Sequence, residues 1–333
     1  MKKSLIALAV LAAAGAASAQ SSVTLYGRLD AGLVSAKDQI SGDGVTRTKL
    51  DSNVLNNSLW GMKGTEDLGN GLKANFVLEQ GMSIDTGAVA NPDAGAFHRK
   101  ATVGLSGDFG SVELGRNYTA YDTLRGETNN TADTNMAVTG DVFKAGGDYT
   151  VRTNHSIRFD SNVYSGFSGA VAYAFGENKG VNLDSTDTLS LHVKYANGPL
   201  LVGYAHQTEK QATGADTKYN LVAGSYDFGV AKLNAGFNKG ERAASEDKEY
   251  QFGVSAPFGA TTVYFGYANA KNETLAGALV QKRAGLDLAA TYALSKRTTA
   301  YAGYKNYEIK DSAVAAEKGK EVTAVGVGVR HVF

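Results

Sequence analysis

Apolar and polar residues alternate along most of the chain, from about residue 23 to the C-terminus. Over residues 23–33 the odd positions are valine, leucine, glycine or alanine, and the even positions are mostly polar and include Arg28 and Asp30. The last strand-like segment repeats this pattern and ends on Phe333. A period of two residues predicts β-strands with one apolar face. A soluble β-sandwich shows the same alternation, so the pattern alone does not identify the fold.

The lengths of the alternating segments separate the two folds. Most exceed the ~5 to 6 residues usual in globular proteins and match the ~9 to 11 tilted residues that cross a bilayer. We predict sixteen strands, at residues 23–36, 54–64, 70–82, 97–107, 110–118, 152–163, 167–176, 186–197, 199–210, 216–227, 230–241, 246–256, 260–271, 281–294, 296–309 and 320–333.

The connections between these strands alternate between short turns and longer polar loops. The predicted short turns are residues 65–69, 107–110, 164–166, 197–199, 227–229, 257–259 and 294–296. This layout and an even strand number are typical of outer-membrane barrels. The sequence therefore predicts an all-β fold, a sixteen-stranded antiparallel transmembrane β-barrel. Five phenylalanines at the short-turn end predict an aromatic girdle there: Phe109, Phe167, Phe228, Phe258 and Phe333.

One connection, about residues 117–151, is long and lacks sustained alternation, and it carries acidic residues among small polar ones. A structureless loop of this length is usually functional in a compact domain. In a barrel it can fold inward, because its backbone remains hydrated in a water-filled interior. We therefore expect this third long loop to narrow the channel.

The N-terminus has the three parts of a secretory signal peptide: Lys2 and Lys3, an apolar stretch over residues 5–14, and a small-x-small site before Gln20. We predict a signal peptide at residues 1–19 and a barrel domain at residues 20–333. Removing the two lysines of the leader leaves a net charge of about −2, which argues against a nucleic-acid partner.

The composition excludes several classes of protein and site. The chain has no cysteine, so it has neither disulfides nor thiolate metal ligands. After the leader, no apolar run approaches the ~20 residues of a transmembrane helix. The five histidines lack metal-ligand spacing, and no serine and histidine pair suggests a nucleophile with its base. We expect no metal, no cofactor and no catalytic residues.

Six segments together resemble the general porins of β-proteobacteria, of the Neisseria and Burkholderia type, and the resemblance covers the whole chain. The segments are residues 22–27, 60–69, 99–105, 109–116, 294–298 and 330–333. The resemblance implies a homotrimer in the outer membrane of a Gram-negative bacterium, surrounded by outer-membrane lipid and lipopolysaccharide. It also implies a water-filled channel for ions and small hydrophilic solutes, without enzyme activity, with the third loop folded inward as a constriction.

The resemblance also implies a constriction between a basic wall and an acidic loop. The wall residues would be Arg28, Lys100, Arg116 and Arg158, and the loop residues Asp122 and Glu127. Alternation independently places Arg28, Lys100 and Arg158 on the polar face of their strands. Strict alternation groups Arg116 with Leu114, so Arg116 needs either a bulge at Gly115 or an outward position in a subunit interface. At Leu59, relatives often carry an arginine, which thins the basic wall.

These charges predict a passive channel with weak anion preference, and near-neutral selectivity is the alternative because Leu59 removes one positive charge. A substrate-selective porin of the same fold would need a continuous aromatic or basic track along one wall. An outer-membrane hydrolase would need a nucleophile and base on adjacent positions. Conductance measurements with candidate solutes separate the two channel hypotheses.

Overall fold

A single antiparallel sheet closes on itself, because the first strand, β1 (Ser22–Asp38), pairs with the last strand, β18 (Glu321–Val332), over eleven residue pairs from Arg28 with Val332 to Asp38 with Val322. The architecture is that of a computed structural model, which describes residues 22–129, 135–144, 146–181 and 184–333. The predicted signal peptide at residues 1–19 lies outside these residues.

Between the first and last strands, pairing follows the order of the sequence, except that β2 and β3 both pair with β1, and β5 and β6 both pair with β4. The intervening strands are β2 (Arg47–Ser52), β3 (Leu59–Gly69), β4 (Leu72–Ser83), β5 (Ala88–Val89), β6 (Lys100–Gly107), β7 (Gly110–Tyr118), β8 (Arg152–Asp160), β9 (Phe167–Ala174), β10 (Thr188–Asn197), β11 (Leu200–Glu209), β12 (Thr217–Asp227), β13 (Lys232–Glu241), β14 (Ser245–Phe258), β15 (Thr261–Thr274), β16 (Leu279–Ala293) and β17 (Thr298–Ser312).

These eighteen strand segments form sixteen barrel strands. Both β2 and β3 pair with β1, so they are two halves of one interrupted strand. The two-residue β5 pairs with the end of β4, beyond the part of β4 that pairs with β6, and is not a separate barrel strand. The sixteen-stranded closed barrel predicted from alternation is confirmed, and every predicted strand overlaps an observed one.

Residues of one parity point outward and those of the other parity point into the barrel. On β1, Leu25 and Leu33 are exposed on the outside, whereas Asp30 is buried in the interior. On β14, Tyr250 and Phe252 are exposed outward, and the residues between and beside them are buried. The apolar outer face and polar inner face are what the period of two residues predicted. No helix in the described part of the chain is both long enough and apolar enough to cross a membrane.

The predicted boundaries are wrong at both ends of β3. The predicted strand 54–64 starts later, because residues 53–58 leave the sheet and turn over Asp30. The predicted turn at 65–69 is strand, and the chain reverses at Asn70 and Gly71, which have φ of 52° and 78°. Asparagine and glycine are the residues that adopt this left-handed conformation most readily.

The five phenylalanines of the predicted girdle are all exposed in the structure, at or beside the short turns or at the chain end. Phe333 is held by two backbone hydrogen bonds with Gly27, each of 3.0 Å.

The long segment after β7 is not structureless as predicted. It contains helix α1 (Ala120–Thr128) and the short helix α2 (Thr139–Val142). Thr119 caps α1 by accepting a hydrogen bond from the Asp122 amide.

The closing seam predicts a mutation that weakens the barrel. Gly328 of β18 lies directly opposite Gly32 of β1, and a Cβ at Gly328 would lie 2.4 Å from the carbonyl oxygen of Ala31. Gly328→Ala should therefore destabilise the folded barrel by about 1–3 kcal/mol, measured as a lower urea midpoint of unfolding. Gly140→Ala is the control, because nothing lies within 4 Å of its added Cβ. Equal midpoints for the two variants would contradict the close approach at the seam.

Candidate functional site

The interior of the barrel holds most of the polar and charged side chains that the alternation predicted to face water. Its organising residue is Asp30 of β1, which is fully buried. One carboxylate oxygen accepts hydrogen bonds from the amides of Val54 (2.8 Å) and Leu55 (3.1 Å), and the other from the amide of Asn56 (3.1 Å). The Tyr301 hydroxyl donates a fourth bond of 2.9 Å. This arrangement fixes residues 53–58, which we call the inner turn.

The inner turn connects the wall to the long loop. The amide of Asn135 donates to the Leu55 carbonyl (2.7 Å), and its side chain donates to the Asn53 carbonyl (2.6 Å). On the opposite side, Arg28 donates to the Asn57 carbonyl at 3.0 Å. The inner turn therefore lies between the first barrel strand and the long loop.

Helix α1 of the long loop packs against the interior face of β10 to β13. The Tyr121 amide donates to the Ser190 hydroxyl (2.8 Å), and the Tyr121 hydroxyl donates to the Asn238 side chain (2.6 Å). His192 makes a 2.7 Å bond to the Ala120 carbonyl. Beneath the helix lies a buried cluster that joins loop and wall: Tyr121, Leu124, Tyr149, Ala205, Tyr219, Leu221 and Ala223.

The loop tyrosines remain protonated donors. Burial raises the pKa of Tyr121 and the pKa of Tyr149 well above their usual value. The Tyr149 hydroxyl donates to a carboxylate oxygen of Asp122 at 2.6 Å, and its ring lies 4.9 Å from the Arg125 guanidinium. The predicted loop acid Asp122 therefore has a partner within the loop itself.

The later part of the loop binds the opposite wall. The Val138 amide donates to the Asp287 carboxylate of β16 (2.8 Å), and Lys305 of β17 pairs with Asp141 (2.7 Å). Glycine makes room for this contact, because a Cβ at Gly285 would lie 2.5 Å from the Val138 side chain. The loop thus contacts the interior face from β10 to β17, and leaves the wall of β4 and β6 without such bonds among the described residues.

Arg28, Lys100 and Arg158 all lie on the interior face, as their alternation indicated. Lys100 pairs with Glu113 at 2.7 Å. Arg158 is buried and makes two bonds to Asp160, of 2.8 and 2.6 Å. It also donates to the carbonyl of Tyr118 at the start of the long loop. Arg158 therefore binds the start of the loop to the wall, and Asp160 neutralises its charge. Arg28, by contrast, has no carboxylate within 4.0 Å in the described ranges.

Glu127 of α1 accepts two bonds from Lys194 of β10, at 2.5 and 2.6 Å. The two predicted loop acids therefore have different partners. Asp122 accepts a hydrogen bond from Tyr149 of the same loop, and Glu127 pairs with Lys194 of the barrel wall.

Arg116 does not join this group. The β7–β8 register shifts between Gly115 and Asn117, so a bulge is present, and Arg116 lies opposite Ala101 on the outward parity of β6. Its guanidinium donates to the His98 carbonyl (2.5 Å) and to Asn154 (2.6 Å). His98 is buried outside the strands, and this burial, together with the nearby Arg99 and Arg116, lowers its pKa below the usual value.

Arg330 and Lys63 are two further interior cations that were not singled out from the sequence. Arg330 of β18 donates to Asn56 (2.7 Å) and Thr299 (3.2 Å), and with Arg28 it lines one interior cavity. Lys63 of β3 lies over the Tyr26 ring, 5.4 Å from its centroid. Neither has a carboxylate within 4.0 Å among the residues that the structure describes. Both lie on the polar face of their strands, so alternation could have found them. Within those residues no group of three or more histidine, aspartate or glutamate side chains could hold a metal ion.

Comparison with known proteins gives a consistent result. The family model described as "Gram-negative porin" matches residues 5–312. The chain is 34% identical to outer membrane porin protein 32 of Delftia acidovorans and 32% identical to major outer membrane protein P.IB of Neisseria lactamica, with both chains fully covered in each case.

Solved structures agree with these sequence relatives. The anion-selective porin from Comamonas acidovorans matches with a TM-score of 0.81 and 30% identity, over 94% of this chain and 100% of that one. The trimer form of OmpT from Vibrio cholerae matches with a TM-score of 0.70 and 18% identity, over 94% and 99%. The second similarity supports the fold alone.

Two mutations that remove different numbers of hydrogen bonds test the role of Asp30 in the inner turn. Asp30→Ala removes the acceptor of three backbone amides and one hydroxyl, and should lower the free energy of unfolding by about 3–5 kcal/mol. Tyr301→Phe removes one of those bonds and should lower it by about 1–3 kcal/mol. Urea unfolding measures both, and limited proteolysis should cut near residues 53–58 in Asp30→Ala. Equal losses in the two variants would mean that the carboxylate does not organise the turn.

Proposed function

Because the chain belongs to the Gram-negative porin family and so forms a diffusion channel in the outer membrane, we propose that it passes small hydrophilic solutes and ions passively, with weak preference for anions. Members of this family are channels. The proposed passage requires neither catalysis nor a cofactor.

The observation that supports the anion preference is a difference in hydrogen bonding between the acidic and the basic side chains of the interior. Asp30 and Asp287 are fully buried and accept hydrogen bonds from backbone amides. Interior cations such as Arg28, Lys63 and Arg330 have no carboxylate within 4.0 Å in the part of the chain that is described, and Arg28 and Arg330 border an interior cavity. A wall of this kind raises the local concentration of anions.

We propose that residues 117–151 form the constriction, with Arg28, Lys100 and Arg158 on the facing wall and Asp122 and Glu127 on the loop. Its contacts with β10 to β17 support an inward position. In this arrangement Lys100 and Arg158 contribute little net charge, because Glu113 and Asp160 neutralise them. Arg28 and Arg330 would therefore dominate the field. Leu59, buried beside Arg28 in the β1–β3 register, adds no charge there.

The similarity to an anion-selective porin over nearly the whole chain agrees with this sign of selectivity. Its magnitude should be small, because water keeps the dielectric constant of the interior high. Salt near physiological strength also screens charges beyond ~8 Å.

Replacing both Arg28 and Arg330 by alanine should shift the zero-current potential in a KCl gradient toward cations, and more strongly at low salt than at high salt. Neither arginine has a carboxylate within 4.0 Å among the described residues, so their loss changes the net charge of the wall. Planar-bilayer recordings of wild type and variant measure the shift.

The control is a double change of a neutral pair, Lys100→Gln with Glu113→Gln, which leaves the net charge unchanged and should shift the potential much less. If the arginine variant keeps the wild-type potential at low salt, these arginines do not set the selectivity.

We further propose a homotrimer exported by the leader at residues 1–19 and surrounded by outer-membrane lipid and lipopolysaccharide. The outward faces of β1 and β18 expose apolar side chains, as at Leu33 and Val327. Such a surface suits close packing between subunits.

The trimer predicts the mass of three chains in light scattering after gel filtration in mild detergent, and a band of trimer mobility in gels that heating converts to the monomer. A single chain of 34.8 kDa or less under all mild detergent conditions would contradict it.

A further inference from the structure

Four lysines form a continuous row across neighbouring strands near the long-loop end of the barrel. Lys239 of β13 lies opposite Lys248 of β14, Lys248 opposite Lys271 of β15, and Lys271 opposite Lys282 of β16. We call these four residues the lysine row. None of them belongs to the interior site.

The lysine row points outward. On β14, Lys248 shares its parity with Tyr250 and Phe252, which are exposed, whereas Asp247 and Glu249 of the other parity are buried in the interior. The same register places the ladder pair Phe237 and Tyr250 one step closer to the membrane centre than Lys239 and Lys248, and their ring centroids lie 4.9 Å apart.

The position along the barrel axis follows from the strand length. Ten residues separate Lys248 from Phe258, the girdle residue at the other end of β14. At ~3.3 Å per residue and a tilt of ~40°, this is about 25 Å along the axis, the height of the apolar band of such barrels. Since Phe258 marks one boundary of that band, the lysine row lies at the other, where lipid headgroups begin.

The row carries positive charge that the protein only partly compensates. Like charges placed directly opposite each other destabilise a sheet. A second row, two residues nearer the loops, provides three glutamates. Lys239 lies within 4.0 Å of Glu241 (2.6 Å) and Glu246 (3.3 Å), Lys248 of Glu246 (2.8 Å) and Glu273 (3.7 Å), and Lys271 of Glu273 (2.6 Å). Four lysines and three glutamates leave one net positive charge in the two rows. Lys282 has no carboxylate within 4.0 Å among the described residues.

We propose that the lysine row binds the phosphate-bearing headgroup of an outer-leaflet lipid, namely lipopolysaccharide. Neighbouring strands lie ~4.8 Å apart, so four ammonium groups extend over about 14 Å, enough for more than one phosphate oxygen to bridge adjacent lysines. Their flexible stems can follow the headgroup plane while the rings of Phe237 and Tyr250 contact acyl chains. Basic clusters at this depth attract anionic headgroups.

The proposal rests on the outer-membrane setting but not on the pore. The test measures the affinity of the full-length mature protein, in detergent, for lipopolysaccharide. Wild type is compared with the triple variant Lys248→Gln, Lys271→Gln and Lys282→Gln. We expect at least tenfold weaker binding by the variant, with unchanged single-channel conductance. Lipopolysaccharide treated with phosphatase should bind wild type as weakly as untreated lipid binds the variant.

Two further variants make the result specific. Lys73→Gln, Lys232→Gln and Lys296→Gln remove the same charge from the short-turn end and should leave binding unchanged. The triple change to arginine at Lys248, Lys271 and Lys282 should retain binding, which also shows that the site tolerates substitution.

Equal binding by both glutamine triples, or no effect of phosphatase, would overturn the proposal. Full displacement of the lipid by inorganic phosphate at comparable concentration would also overturn it, because the row would then be a general phosphate site. A failure of the arginine triple to bind would rule out charge as the basis of recognition.

Discussion

Every backbone amide and carbonyl of this chain that crosses the bilayer must find a partner within the protein, because the hydrocarbon core supplies none. The sheet meets this requirement by closing, and the pairing of β1 with β18 completes the ring. Between β2 and β3, the two segments that pair with β1, the ladder is interrupted at residues 53–58. There the Asp30 carboxylate replaces a neighbouring strand as the acceptor for three amides.

The inner turn created by this interruption organises the interior. Arg28, Arg330 and Asn135 all bond to it, so the first strand, the last strand and the long loop meet at one short segment. The rest of the loop is fixed by contacts with side chains of β10 to β17, and glycines such as Gly285 leave the space it occupies. Hydrogen bonds therefore join the described parts of the loop to the barrel wall as one unit.

Alternation and connection lengths were sufficient to predict the barrel, because a two-residue period that recurs in strands of about ten residues is typical of membrane-spanning barrels. The interior parity of Arg28, Lys100 and Arg158 followed from the same pattern. The inner turn could not be predicted, because it depends on one buried carboxylate meeting three amides distant in sequence. The partners of Glu127 and Arg158 were missed for the same reason: Lys194 and the Tyr118 carbonyl come close only through the docking of the loop. The helices of the loop were not predicted, because its sequence is polar and contains glycine.

A chain with equal numbers of acidic and basic residues can still present a positive interior. Carboxylates accept several hydrogen bonds at once, so backbone amides replace part of the hydration that Asp30 and Asp287 lose on burial. Guanidinium and ammonium groups cannot serve amides in this way, and they remain where water or carbonyl oxygens solvate them, as Arg28 and Arg330 do. Which interior charges remain in contact with water therefore depends on which ones the fold uses as hydrogen-bond acceptors, and counting charges along the sequence does not reveal it.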